Sequence, residues 1–311
     1  MTDRVRAHIV IPVSNTLLRG STGKFPIALS GLGVWLAALA LLPAPIAARI
    51  LLLAPLAIVP RLLGLLPERS LVDRLAGWPA FLASLPLLIA FALPPGPLAG
   101  VFVVPWLGLA MVGAAAAVLD GLARLPGILR PRAWPDLGVD VGLGFLAVGA
   151  IFALVDRLGI ETTFSPAIVL LTATHFHFAG FGLLGLASLL SRDRPWLRAS
   201  VAGLVVGIPL TAIGFVLVSN AIGAVGASFV GLSGIGVGVR FLTVEGSDSA
   251  RWASRLAGLA LLIGMPMGIA WSVAILLGST FLDLDTMIRT HGVLNASAVL
   301  LGVMSYPPDR A

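Results

Sequence analysis

No cysteine occurs in the 311 residues, so disulfides, thiolate metal ligands and cysteine nucleophiles are all excluded. That absence leaves the redox compartment open. Charge is scarce as well: 11% of residues are charged against 58% hydrophobic, and mean hydropathy is +1.04. A water-soluble fold has too little interior for that much apolar surface. The ten-residue apolar/polar alternation of a membrane β-barrel is missing. There is no Walker loop, no G-x-S-x-G elbow, no H-x-x-x-H pair and no regular run of arginines. The formal charge of +6 comes from scattered arginines without aromatic interleaving, which argues against a nucleic-acid partner. The glycine-rich run from Gly231 to Gly238 lacks the strand and glycine spacing of a dinucleotide fingerprint. No small-residue cleavage site follows the first apolar stretch, so no cleavable signal peptide is expected.

What the chain does have is a series of apolar stretches of about 18 residues or more, the length at which a helix crosses the hydrocarbon core. Candidate spans fall at 26–43, 47–66, 79–95, 97–118, 138–156, 164–190, 199–219, 221–242, 256–279 and 287–304. The expected fold is all-α: a polytopic transmembrane helix bundle of about eight to ten spans. Its organisation is an N-terminal segment over 1–25, one membrane domain over 26–304 and a tail over 305–311. The closest pairs of spans, at Pro43 to Ala47, Pro94 to Pro97 and Ser219 to Ala221, leave few residues for a turn.

Charge placement supports the ten-span reading, because Lys and Arg collect in short cytoplasmic loops. With the N-terminus inside, the cytoplasmic side receives Arg4, Arg6, Arg19, Lys24, Arg69, Arg74, Arg124, Arg130, Arg132, Arg192, Arg194, Arg198, Arg251, Arg255 and Arg310. The other side receives Arg49, Arg157 and Arg289 together with Asp156, Glu161, Asp283 and Asp285. Both termini are therefore expected in the cytoplasm. Arg61 and Arg240, near inner ends of spans, are expected to snorkel to the interface. Trp78, Trp134, Trp196 and Trp252 flank spans as interfacial anchors, while Trp106 and Trp271 fall deeper. Gly203/Gly207 and Gly234/Gly238 have the small-xxx-small spacing of close helix packing.

Ionisable groups inside a span are costly, so each is a functional candidate until a structural role explains it. The sixth span carries Thr172, Thr174, His175 and His177, and the tenth carries His291 and Asn295. Residues two apart on a helix differ by about 200° in direction, so His175 and His177 point to nearly opposite sides. Thr172 shares a face with His175, and His291 with Asn295. At 1.5 Å per residue, Thr172 and Asn295 lie about 12 Å and His175 about 16 Å from the outer ends. If spans six and ten are neighbours, a polar cluster of one sixth-span histidine, a threonine, His291 and Asn295 can form.

The segments Thr172-Ala-Thr-His-Phe-His-Phe-Ala-Gly-Phe181 and Met287-Ile-Arg-Thr-His-Gly-Val-Leu-Asn-Ala296 resemble the signature motifs of the YndJ-like bacterial membrane proteins, and Leu53-Ala-Pro-Leu-Ala-Ile-Val-Pro60 is similar to that family's early span. The resemblance covers most of the chain and implies a polytopic bacterial protein of the inner (plasma) membrane. It marks His175, His177, His291 and Asn295 as signature positions.

Taken together, these features lead us to expect a membrane-embedded enzyme using His175, His177 and His291 as acids or bases on a lipophilic substrate. Asn295 and Thr172 would orient it. Isomerisation, cyclisation or epoxide opening of an isoprenoid or polyketide is the expected class. A proton-coupled transporter, a metal- or haem-binding protein and a purely structural subunit are the alternatives. No cofactor is predicted, and the bilayer is the expected partner.

Since the chain has no cysteine of its own, sidedness is directly testable. In intact cells a membrane-impermeant maleimide should label Glu161→Cys, and Arg251→Cys only after permeabilisation. The inverse pattern would turn the topology over.

Overall fold

The computed structural model describes residues 24–66, 70–124, 130–279 and 281–306. The expected terminal segments fall largely outside the described residues, as do Arg4, Arg6, Arg19, Arg69 and Arg310. Among the described residues the chain is helical, with no strand. The principal helices are α1 (Lys24–Leu41), α2 (Ile46–Leu63), α3 (Trp78–Ala92), α4 (Val104–Arg124) and α5 (Trp134–Leu158). They continue with α6 (Pro166–Asp193), α7 (Pro195–Val216), α8 (Asn220–Leu242), α9 (Asp248–Leu276) and α10 (Leu284–Ser305).

Each expected span falls on one of these helices. Eight of them, α2 and α4 to α10, are long and apolar enough to cross a membrane; Pro26–Leu41 and Trp78–Ala92 are shorter apolar helices. The boundaries differ where charge misleads. Helix α4 runs past the expected end at 118, because Asp120 and Arg124 pair across one turn at 3.4 Å and keep the polar end helical. Helix α9 starts at Asp248 rather than 256, with Arg251 paired to Asp248 in its first turn.

Helices α7, α8 and α9 pack as consecutive neighbours, α10 lies against α9, and α10 closes onto α2 and α6. On the other flank α5 packs between α4 and α6, and α1 lies on α2. The most enclosed element is α2, with 89% of its apolar window buried inside the protein. The glycine pairs act as packing surfaces: a Cβ on Gly203 would stand 2.2 Å from the Ser233 hydroxyl, and one on Gly207 2.7 Å from the Phe229 Cβ. Only without side chains there can α7 and α8 approach so closely.

Three helices carry a π-helical turn: Ala54–Ile58 in α2, Phe176–Leu183 in α6 and Ile288–Gly292 in α10. In α2 the turn contains Pro55, which has no N–H to donate. The α2 and α6 turns pack together, and α10 packs against both. Two of the three turns overlap the histidine motifs.

The arginines near the helix ends depart from the snorkelling expectation. Arg61 is 1% exposed, and its Nη2 donates to the Tyr306 carbonyl, the C-terminal cap of α10, at 3.1 Å. Arg240 is 6% exposed and donates to the Thr243 hydroxyl at 3.2 Å. The carbonyl-rich C-terminal end of a helix attracts a guanidinium, which explains the position of Arg61.

A Cβ on Gly31 of α1 would stand 1.8 Å from the Leu56 carbonyl oxygen in the α2 π-turn, whereas one on Gly33 meets nothing within 4 Å. Gly31→Ala should lower stability by about 1–3 kcal/mol by overpacking. Gly33→Ala should leave it unchanged or slightly raised, as read by thermal unfolding in detergent.

Candidate functional site

The site grows out of the two π-turns that hold the histidines. His175 is the last residue before the wide turn of α6, and His177 lies inside it. His291 lies inside the turn of α10, with Asn295 one turn further on. Span ten does lie against span six: a Cβ on Gly182 would stand 2.7 Å from the Val299 side chain. The adjacency that the sequence left conditional is present.

His177 is fully buried, with 0% exposure. Its Nδ1 lies 2.8 Å from the Ala173 carbonyl, and its Nε2 lies 3.0 Å from the Trp106 indole nitrogen. An indole N–H only donates, so His177 Nε2 accepts and Nδ1 carries the proton. Trp106, itself 0% exposed, lies nearly parallel to the imidazole, with 21° between the ring planes. Gly149 of α5 makes room, since a Cβ there would lie 2.6 Å from His177 Nδ1. Both ring nitrogens are thus committed, and this histidine ties α6 to α4 across the face of α5.

His175 points the other way, as the 200° separation requires. Its Nδ1 donates to the Leu171 carbonyl at 2.8 Å. Nε2 then has its lone pair free. The side chain is exposed.

His291 Nδ1 lies 2.8 Å from the Gly264 carbonyl of α9. Asn295 Nδ2 lies 3.3 Å from His291 Nε2 and 3.0 Å from Nδ1. With the Nδ1 proton given to Gly264, the amide donates to Nε2, and His291 is a neutral imidazole. The Asn295 Oδ1 is buried and has no hydrogen-bond partner. Gly264 and Gly268 form the floor: a Cβ would stand 2.6 Å from Asn295 Oδ1 at the first and 2.7 Å from His291 Cε1 at the second. Thr172 is half-buried on the His175 side, with its hydroxyl on the Ile168 carbonyl at 2.8 Å; Thr174 is buried and bonds Leu170 at 2.9 Å.

Of the five residues singled out in the sequence, then, Asn295 holds His291, Thr172 lies about one turn from His175, and His177 faces away from His175 toward Trp106. Sequence reasoning missed Trp106 as the partner of His177, and Gly264 and Gly268 as the seat of His291. The i, i+4 spacing of those two glycines was a legible sign. Among the described residues no group of three or more His, Asp or Glu could hold a metal ion. A groove of about 150 Å³ between α4 and α5, lined by Leu122, Arg124, Leu137 and Asp140, holds none of the histidines. At the start of α10, Asp283 accepts from the Thr286 N–H at 2.7 Å, which holds its carboxyl below the usual value.

The apolar helices and the buried α2 define a polytopic α-helical membrane protein. The family model described as YndJ-like protein matches residues 49–299, and the chain belongs to that family. The match includes both histidine motifs. No curated protein and no solved structure matches the chain.

Trp106→Phe removes the only donor to His177 Nε2 and strands a buried acceptor, which should cost about 1–3 kcal/mol in stability. Trp106→Phe combined with His177→Phe should recover part of that loss. Unfolding temperatures of the two variants check the tie.

Proposed function

We propose that this protein is a membrane-embedded enzyme that isomerises a lipophilic substrate by moving a proton, with His175 as the base. The observation that carries the reading is the contrast between the histidines: His177 is buried with both nitrogens engaged, whereas His175 is exposed with only Nδ1 engaged. His175 Nε2 takes a proton from one carbon of the substrate and becomes an imidazolium, with Nδ1–H still held by the Leu171 carbonyl. After exchange with solvent the imidazolium delivers a proton to a second carbon, the double bond shifts, and the base is regenerated. No co-reactant is needed. The Leu171 carbonyl steadies the transient positive charge. His291, fixed by Gly264 and Asn295, and the half-buried Thr172 orient the substrate. His177 acts as a positioning residue through the Trp106 tie. An isoprenoid or polyketide chain suits a substrate that enters from the bilayer, and the inner membrane of a bacterium is the proposed location.

A second reading, a proton-coupled carrier, is favoured by one observation: π-turns interrupt α2, α6 and α10. Discontinuous helices are a feature of carrier sites. Further along α6 and α10, however, Phe181, Leu184, Leu186 and Val299 are each no more than 2% exposed, which speaks against a polar path there.

A proton that leaves and returns on a base exchanges with solvent. Protein in nanodiscs made with bacterial lipid extract and incubated in deuterium oxide should add a single deuteron to one lipid of unchanged carbon skeleton, and His175→Ala should abolish it. Equal incorporation by wild type and His175→Ala, or none by either, contradicts the assignment.

A further inference from the structure

The groove of about 150 Å³ between α4 and α5 lies away from the histidines. Its walls are Val118 and Leu122 on α4 and Leu137 on α5. Val118 and Leu122 are 60% and 58% exposed, so the groove opens to the side of the bundle. Gly121 lies at its floor: beyond its own helix, a Cβ there would meet only the Asp140 carboxylate within 4 Å, at 3.9 Å. The sequence sets the depth of the groove. Helix α4 carries no charged residue from Val104 to Leu119, and α5 carries none from Val141 to Val155. Asp120 and Asp140 are the first charges beyond those apolar stretches, and both reach Arg124. They mark one level, where hydrocarbon gives way to head groups.

Two charges line the groove, one of each sign. The Asp140 side chain is 10% exposed and that of Arg124 33%, with Nη1 lying 3.2 Å from the carboxylate. Arg124 Nη2 lies 3.4 Å from the Asp120 carboxylate, and Nε donates to the Asp120 carbonyl at 3.1 Å. A guanidinium has five N–H groups, so Arg124 keeps hydrogens for a further acceptor, and a carboxylate accepts several donors. On the hydrocarbon side of this level, the exposed side chains of Met111 and Val112 continue the apolar surface of α4.

The geometry points to a bound phospholipid with a primary ammonium, a phosphatidylethanolamine, seated in this groove. Its phosphate meets Arg124, its ammonium meets Asp140, and its acyl chains run along the exposed face of α4. Charge complementarity selects the head group. An anionic phospholipid brings its phosphate to a guanidinium already shared by two carboxylates and offers those carboxylates no cation. A choline head group carries both charges, but its quaternary nitrogen has no N–H to donate to Asp140. The site stands apart from the histidines and does not depend on the proposed isomerase.

The test uses the full chain, delipidated in dodecyl maltoside and mixed with equal amounts of dioleoyl phosphatidylethanolamine, phosphatidylcholine and phosphatidylglycerol. Native mass spectrometry counts each bound lipid by its mass. A partly exposed ion pair corresponds to about fivefold in affinity, so the ethanolamine lipid should be retained about fivefold over either competitor. Asp140→Asn keeps the shape of the groove and should erase the preference over phosphatidylcholine. Gly121→Leu fills the groove and should erase it as well. Gly108→Leu, on the same helix where a Cβ meets nothing within 4 Å, should leave it intact. Equal retention of the ethanolamine and choline lipids, preference for phosphatidylglycerol, a preference that survives Asp140→Asn or Gly121→Leu, or its loss in Gly108→Leu overturns the inference.

Discussion

Hydrocarbon offers no hydrogen-bond partner, and every polar group placed in it must find one inside the protein. That constraint accounts for most of what surrounds the histidines. Thr172, Thr174, His175 and His177 each bond the carbonyl four residues earlier in their own helix. Such local bonds cost no neighbour and leave the outward side of each group to be decided by packing. For His177 the outward side meets Trp106; for His175 it is exposed. The same residue type, two positions apart, therefore becomes a buried tie in one case and an open base in the other.

The π-turns fit the same account. A widened turn shifts the helix face by a fraction of a turn and re-aims the side chains after it, which is why such turns recur at functional sites. In α6 the widened turn begins directly after His175 and carries His177 toward α4. In α10 it carries His291 toward Gly264 and Gly268 of α9. Glycine at those two points lets an imidazole and an amide fit between backbones. Larger residues there would displace the ring and leave its nitrogens unpaired.

Much of this was legible in the sequence. Hydropathy located the helices because twenty or so apolar residues have few other uses, and the opposed directions of His175 and His177 followed from helical periodicity alone. The depth match between Thr172, His175 and Asn295 also pointed to one polar layer. What the sequence did not disclose was tertiary. That Trp106 would reach His177 depends on α4 and α6 facing each other across Gly149, which no local pattern encodes. The π-turns were hidden because their hydrogen-bond shift leaves hydropathy unchanged; Pro55 was the nearest hint. Arg61 was misjudged because its partner, the Tyr306 carbonyl, lies 245 residues away in the chain.

The central claim is that two histidines of one helix differ in kind, His175 open with a free Nε2 and His177 sealed by Trp106. Diethyl pyrocarbonate modifies accessible neutral imidazoles, and peptide mass spectrometry of the folded protein in nanodiscs reads each histidine separately. The account predicts rapid modification at His175 and none at His177 until the protein is unfolded. Modification of His177 at the rate of His175, or protection of His175, would contradict it.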